Sequence, residues 1–237
     1  MQASLFLLVF ELSRLSAAGC RLEYEIKYGP MVLGSMVLEE LPAETLAEIE
    51  CYHFRAQLQF DGPLSFLFWA NYFIESWCEK KNMLTVRSYK KTIEKNYRAE
   101  WSAIYEPGVV SYSDGSSYPL PDSARDMLTL WFFLRTLNWE GGKEKVLYAH
   151  IDRRNWQVSF ALKGKQIVRT PAGKFHCLVV APRTSGPLGT VFISDDARRL
   201  PVVIRTRVGG FPITAYLTAD NSPPRAVSRP KFPEEGQ

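Results

Sequence analysis

From Arg21 to Tyr28 the chain alternates without a break between charged and apolar residues. Leu22, Tyr24, Ile26 and Tyr28 stand against Arg21, Glu23, Glu25 and Lys27. A beat of two fits a pleated strand with one face toward a core and the other toward water, whereas a helix would scatter the apolar set around its axis. The beat returns where Tyr52, Phe54, Ala56, Leu58 and Phe60 alternate with Cys51, His53, Arg55, Gln57 and Gln59, and again from Trp156 to Lys163. Turn formers punctuate these runs: Gly29-Pro30, Asp61-Gly62-Pro63, Asp114-Gly115, Pro171-Ala172-Gly173, Asp195 to Arg198, and Gly209-Gly210. Met31 to Leu38 reads as the return of the first strand, with Gly34 marking a bulge or a close backbone approach. Further strands are expected near Tyr72–Cys78, within Arg87–Tyr105 (two), and at Val109–Tyr112, Tyr118, Phe175–Ala181, Val191–Ser194, Pro201–Val208 and Ile213–Leu217. No strand–helix alternation appears, so a doubly wound fold is not expected. The expected fold is mainly all-β: an antiparallel, twisted, barrel-like sheet of about ten strands with one helix packed on it.

That helix is the one break in the pattern. Pro119 and Pro121 precede Asp122, a good N-cap, and Met127, Leu130, Trp131, Leu134 and Leu137 then fall at helical spacing. The spacing predicts a helix from Ser123 to about Leu134, plugging an open end or flank of the sheet. Asp126 and Arg135 are charges on an otherwise apolar element, and such charges need partners. Either they complement the two ends of the helix dipole, or Arg135 anchors an acidic ligand group in the barrel mouth. Tyr24, Asp126, Trp131 and Arg135 are therefore the candidate ligand-facing residues.

The ends of the chain read differently. Leu5 to Phe10 is a run of six apolar residues, and Ser16-Ala17-Ala18-Gly19-Cys20 is small. Apolar then small is the order of a secretory signal, so residues 1–19 are expected to be removed by cleavage near Ala18. Cys20 after Ala-Ala-Gly also resembles a lipoprotein cleavage site; the competing reading is a short amphipathic helix of a cytoplasmic protein. Residues 20–218 then form a single domain, and residues 219–237, with Pro223, Pro224, Pro230 and Pro233, a disordered tail. No stretch approaches the ~18 apolar residues of a membrane-spanning helix. A periplasmic or outer-membrane-associated location is expected.

Catalytic signatures are sparse. No G-x-S-x-G exists, and the glycines match neither a phosphate loop nor a dinucleotide fingerprint. His176 and Cys177 are adjacent on a strand, so they face opposite ways and cannot act as a local pair. Cys20, Cys51, Cys78 and Cys177 lack metal-ligand spacing; a Cys51–Cys78 disulfide fits if their strands are neighbours and the compartment oxidising. Asp195-Asp196 reads as a tight turn before it reads as a cation site. The basic stretch Lys80 to Arg98, with Tyr89 and Tyr97 interleaved, reads as a solvated face before a phosphate-binding one, as do Arg205 and Arg207. A net charge of +4 is too mild to imply nucleic acid. No cofactor, no metal and no catalytic residue are expected.

Four motifs occur in order: Tyr28-Gly29-Pro30; Asp126-Met127-Leu128 with Phe133-Leu134-Arg135-Thr136-Leu137; Thr170 to Phe175; and Ser194 to Pro201. Together they resemble the bacterial domain-of-unknown-function family 3108, from about Leu22 to Leu217. The resemblance implies an exported, mainly antiparallel β protein of Gram-negative-type bacteria, with no established activity. With 14 Phe, 11 Tyr and 6 Trp on alternating faces, the first functional expectation is a non-catalytic envelope protein that holds a lipid, acyl or other hydrophobic ligand inside an aromatic-lined barrel. The second is a structural or interaction module of the envelope with a protein partner. The third is an enzyme on envelope glycan or lipid.

Overall fold

In the computed structural model, which describes residues 19–62, 69–183, 187–208 and 210–221, the alternation of the first strand becomes a core face. β1 (Arg21–Tyr28) turns Leu22, Tyr24 and Ile26 inward at no more than 2% exposure, while Arg21 and Tyr28 face solvent. β2 (Met31–Leu46), β3 (Ile49–Phe60), β4 (Ala70–Glu79), β5 (Thr85–Glu94), β6 (Arg98–Glu106), β7 (Val109–Tyr112) and β8 (Ser117–Pro119) follow as an antiparallel meander. A second meander comprises β9 (Lys145–Ile151), β10 (Arg154–Thr170), β11 (Gly173–Pro182), β12 (Thr190–Ser194), β13 (Pro201–Val208) and β14 (Phe211–Asp220). Pairing of β1 with β14 fuses both into one sheet of fourteen strands, with β8 and β9 at its edges.

Among the described residues the architecture is antiparallel and mainly β with one helix, as the sequence implies, but the strand count is fourteen rather than about ten. β9 went unread because it has no beat: its last three residues, Ala149, His150 and Ile151, are all buried. β2 runs past Pro42 because the ladder to β3 slips between Leu41 and Glu44, so the proline sits in a bulge where no ladder donor is needed. Gly34 is a close approach, as read: a Cβ there would collide with the Gln59 carbonyl. β14 reaches Asp220, two residues beyond the expected domain end. The signal segment, residues 1–18, and the tail from residue 222 lie outside the described residues, whereas Cys20, the lipidation candidate, is described and half-buried just before β1.

The helix, α1 (Met127–Leu134), is shorter than expected, and its N-cap is Asp126, not Asp122. Leu128, Thr129, Leu130, Phe132, Phe133 and Leu134 are all buried, so it is apolar all round, as a helix enclosed by protein must be. It packs on β3, β4 and β9, with the Phe132 ring stacked on Phe54 at 3.8 Å between centroids. One cluster joins α1 to both meanders; a smaller one, Ala103, Tyr105, Val110 and Tyr112, serves β6 and β7.

β3 and β4 are neighbours, but Cys51 lies opposite Glu79 and Cys78 opposite Tyr52. The offset by one residue sends the two thiols to opposite faces, so no disulfide joins them. The connections fall into two sets. Those after odd-numbered strands, including β1–β2, β5–β6 and β13–β14, leave one end of the barrel. The β2–β3, β4–β5 and β12–β13 connections, with Cys20 and Asp220, leave the other.

Candidate functional site

The two charges singled out on the helix anchor its two ends. The Asp126 Oδ1 accepts from the Thr129 backbone N–H at 2.8 Å and from the Ser76 hydroxyl at 2.9 Å; Oδ2 accepts from the Thr129 hydroxyl at 3.2 Å. Its own N–H donates to the Thr85 hydroxyl. Burial raises the carboxyl above its ordinary pKa, and these donors oppose the rise. Beside it the Arg125 guanidinium donates to the carbonyls of Asn82, Met83 and Ser123 and stacks over Phe133 at 3.6 Å.

Arg135 is the C-cap of α1. It donates to the carbonyls of Arg198 and Arg199 at 3.2 and 2.9 Å, tying the helix to the β12–β13 turn. The Tyr24 hydroxyl donates to the Pro201 carbonyl at 2.7 Å, and burial pushes its pKa up. Trp131 is half-buried against the core. The four candidates do not gather at one place: Asp126 and Arg135 stand at opposite ends of α1, about 13 Å apart along its axis, and the core between them is filled by the helix's own side chains. Two surface depressions, of about 480 and 540 Å³, are open to solvent. Tyr24 borders the first with Val32, Gly34, Gly62 and Pro171; Asp126, Trp131 and Arg135 line neither.

The remaining polar motifs are also engaged. Asp196 accepts from Ser194 and Arg198, and Asp195 pairs with Lys165 and Arg199, which is the chemistry of a braced turn. The basic stretch is split over both faces of β5 and paired: Lys80 with Glu50, Lys90 with Asp152, Lys91 with Glu100. Arg205 covers the Phe192 ring. His176 is exposed while Cys177 is buried, its thiol pushed up to about 11 by burial. Among the described residues no three His, Cys, Asp or Glu side chains are grouped to hold a metal.

Two constellations escaped the sequence reading. On the outer face of β3 and β4, His53 sits between Glu44 (2.9 Å) and Glu75 (3.2 Å) and stacks on Trp77 at 4.3 Å. The Trp77 indole N–H donates to Glu44, Arg55 donates to Glu75, and Arg87 covers the other partner, the Trp77 ring. Nothing in the spacing of Glu44, His53 and Glu75 marks them as neighbours, because the β2 bulge sets their register.

The other lies where the open sheet meets itself. The Tyr112 hydroxyl of β7 stands 2.9 Å from His150 Nε2 of β9, and His150 Nδ1 stands 2.7 Å from Asn155 Oδ1. Asn155 donates its amide to the Pro119 carbonyl of β8. Arg153 pairs with Asp114, donates to the Ser116 hydroxyl and covers the Tyr112 ring. Arg125 bridges Ala149 in parallel, with backbone hydrogen bonds to Tyr148 and from His150. Tyr105 and Tyr118 close around the imidazole at 6.1 Å each. Side chains and one short bridge therefore clasp the edges that the ladder leaves unpaired.

Comparison with known proteins places this geometry. A family model described as protein of unknown function, DUF3108, matches residues 23–218. No curated protein matches the chain. Among solved structures, a β-barrel-like protein of the domain of unknown function DUF1849 from Brucella abortus superposes with a TM-score of 0.61 at 13% identity, over 88% of this chain and 99% of that one. That likeness concerns the fold. A protein from Parabacteroides distasonis aligns over 86% of this chain and 95% of its own at 13% identity, but its TM-score of 0.33 carries no argument.

Proposed function

The chain belongs to the DUF3108 family, and from that premise we propose that it is a non-catalytic interaction module of the bacterial envelope that works through its outer surface. The observation that carries this reading is the occupied interior. A carrier of acyl chains needs a hollow of several hundred cubic ångströms walled by apolar side chains. Here Leu128, Leu130, Phe132 and Leu134 of α1 stand in that position, each no more than 5% exposed. Supporting it, Asp126 and Arg135, the charges best suited to orient a ligand, spend their hydrogen bonds on Ser76, Thr129, Arg198 and Arg199. An exported location follows from the same reading and is checked by cell fractionation.

The experiment is in-cell crosslinking of the full chain followed by mass spectrometry, run beside organic extraction of the purified protein. A recurrent envelope component and an empty extract are expected. A stoichiometric lipid in the extract, with no recurrent crosslink, would restore the carrier reading.

A further inference from the structure

Resting on the reading of an outward-acting envelope module, we infer that one end of the barrel seats on the surface of an anionic phospholipid bilayer. The observation is where the exposed rings lie. Tyr28 (42% exposed) and Met31 (41%) face each other across the β1–β2 turn; Trp69 (38%) leads into β4, and Tyr97 (57%) caps the β5–β6 turn. All sit on connections that leave the same end. They form one arc: Gly62 donates its backbone N–H to Leu33, bringing the start of the β3–β4 connection beside β2, and Ala70, next to Trp69, pairs with Glu94, whose N–H donates to the Tyr97 carbonyl. Tyr28 and Tyr97 are thus held out on hydrogen-bonded turns, and Trp69 directly precedes a residue of the ladder.

The chemistry fits a headgroup layer better than a protein. Tyr and Trp are apolar bodies with a polar tip, the side chains that accumulate at membrane–water interfaces. Separate rings on separate turns can each enter an acyl boundary. A stable protein interface instead buries a continuous patch of about 1,200 Å² or more in total. Charge supplies the orientation. Arg98 and Arg207 stand exposed at this end with Lys27, which pairs with Glu25, against exposed Asp61 and Asp152 on its other turns, and cations near a bilayer are drawn to anionic lipid. The opposite end carries exposed Glu44, Glu48 and Glu50 on the β2–β3 hairpin, which such a surface repels, beside exposed Lys81 and Arg198 on the neighbouring turns. A bilayer would therefore meet the barrel with its aromatic end.

The test is co-sedimentation of the full chain with vesicles of phosphatidylcholine alone and of phosphatidylcholine with phosphatidylglycerol, at low and high salt. Binding to the anionic vesicles that weakens with salt is expected. The triple variant Tyr28→Ser/Trp69→Ser/Tyr97→Ser should lose at least about tenfold in binding with its melting temperature unchanged. The double variant Arg98→Glu/Arg207→Glu should lose the preference for anionic lipid. Ile104→Ser, which removes an exposed apolar side chain from the face of β6 rather than from a turn, should bind like the parent. No binding by the parent, or an equal loss in Ile104→Ser, overturns the inference. If vesicles fail while crosslinking still yields a recurrent protein, the lipid surface is wrong and the interaction reading stands. If vesicles bind and no protein is captured, the lipid surface stands alone. If a protein is captured only when the three rings are intact and vesicles are not bound, the end is a protein site and the inference falls.

Discussion

His150 and Tyr112, 38 positions apart in the chain, meet at 2.9 Å and join the two ends of a sheet that the backbone leaves open. The direction of that bond is set by its neighbours. Asn155 gives its amide N–H to the Pro119 carbonyl, so its oxygen faces His150 Nδ1. The imidazole then carries its proton on Nδ1, and Nε2 accepts from the Tyr112 hydroxyl. Tyr112→Phe removes the donor, leaving a buried acceptor unsatisfied, and should destabilise the fold by about 1–3 kcal/mol. The loss should be local: hydrogen exchange should accelerate first in β7, β8 and β9, while β1–β3 keep their protection. Uniform acceleration across the sheet would mean the clasp is not a separate element.

The same residue gives the stability a pH dependence. Burial lowers the His150 pKa, with the Asn155 bond opposing, so the folded protein holds the neutral ring. The unfolded chain protonates it near its ordinary value of about 6.5. Below that pH the unfolded state binds the extra proton, so the contribution, fully present above about 6.5, is lost as pH falls toward the lowered folded value. Chemical denaturation from pH 8 to pH 5 should show this decline in the parent and a flatter profile in His150→Gln. Equal slopes would assign the dependence to other groups.

The N-cap of α1 separates shape from charge. Asp126→Ala leaves the Thr129 N–H, the Thr129 hydroxyl and the Ser76 hydroxyl without their acceptor inside the barrel, at a cost of about 2–4 kcal/mol. Asp126→Asn keeps an acceptor for the helix N–H. Because burial already disfavours the ionised carboxyl, the amide should cost less than alanine. Thermal melts of the two variants check the order; a more damaging asparagine would show that the negative charge itself is required.

How far the sequence leads can be judged at such residues. Leu22, Tyr24 and Ile26 announced a half-buried strand because only one of its faces meets the core, and Tyr52 to Phe60 did so for the same reason. Ala149, His150 and Ile151 did not, since the clasp buries both faces of β9 there. Asp126 and Arg135 were legible as charges in need of partners. Their partners were not, because Ser76 is 50 positions away and the Arg198 and Arg199 carbonyls are 63 and 64 away, contacts that exist only once the sheet curls. Asp122 looked the better cap from its proline neighbours, but the chain crosses β9 as an extended bridge at Arg125 before the helix can begin. The aromatic end was hidden likewise: Tyr28, Trp69 and Tyr97 look unrelated until the meander brings their turns to one side.

The β2–β3 hairpin carries a removable strain. Ala47 and Glu48 both sit at positive φ, 45° and 69°, the pattern of a two-residue turn whose twist suits the flanking strands. Neither side chain favours that region; asparagine and glycine do, and the left-handed conformation costs an ordinary residue roughly 1–2 kcal/mol. Ala47→Asn/Glu48→Gly should therefore raise stability by about 1 kcal/mol, the glycine giving back part of the gain through the freedom it adds to the unfolded chain. Urea denaturation should show a higher midpoint with an unchanged slope. Both side chains are exposed, so no packing is lost and the relief of strain should dominate. A lower midpoint would mean that the Glu48 carboxylate contributes more through its charge than its backbone costs. Glu48→Gln, which removes the charge and keeps the side chain, would then reproduce the loss.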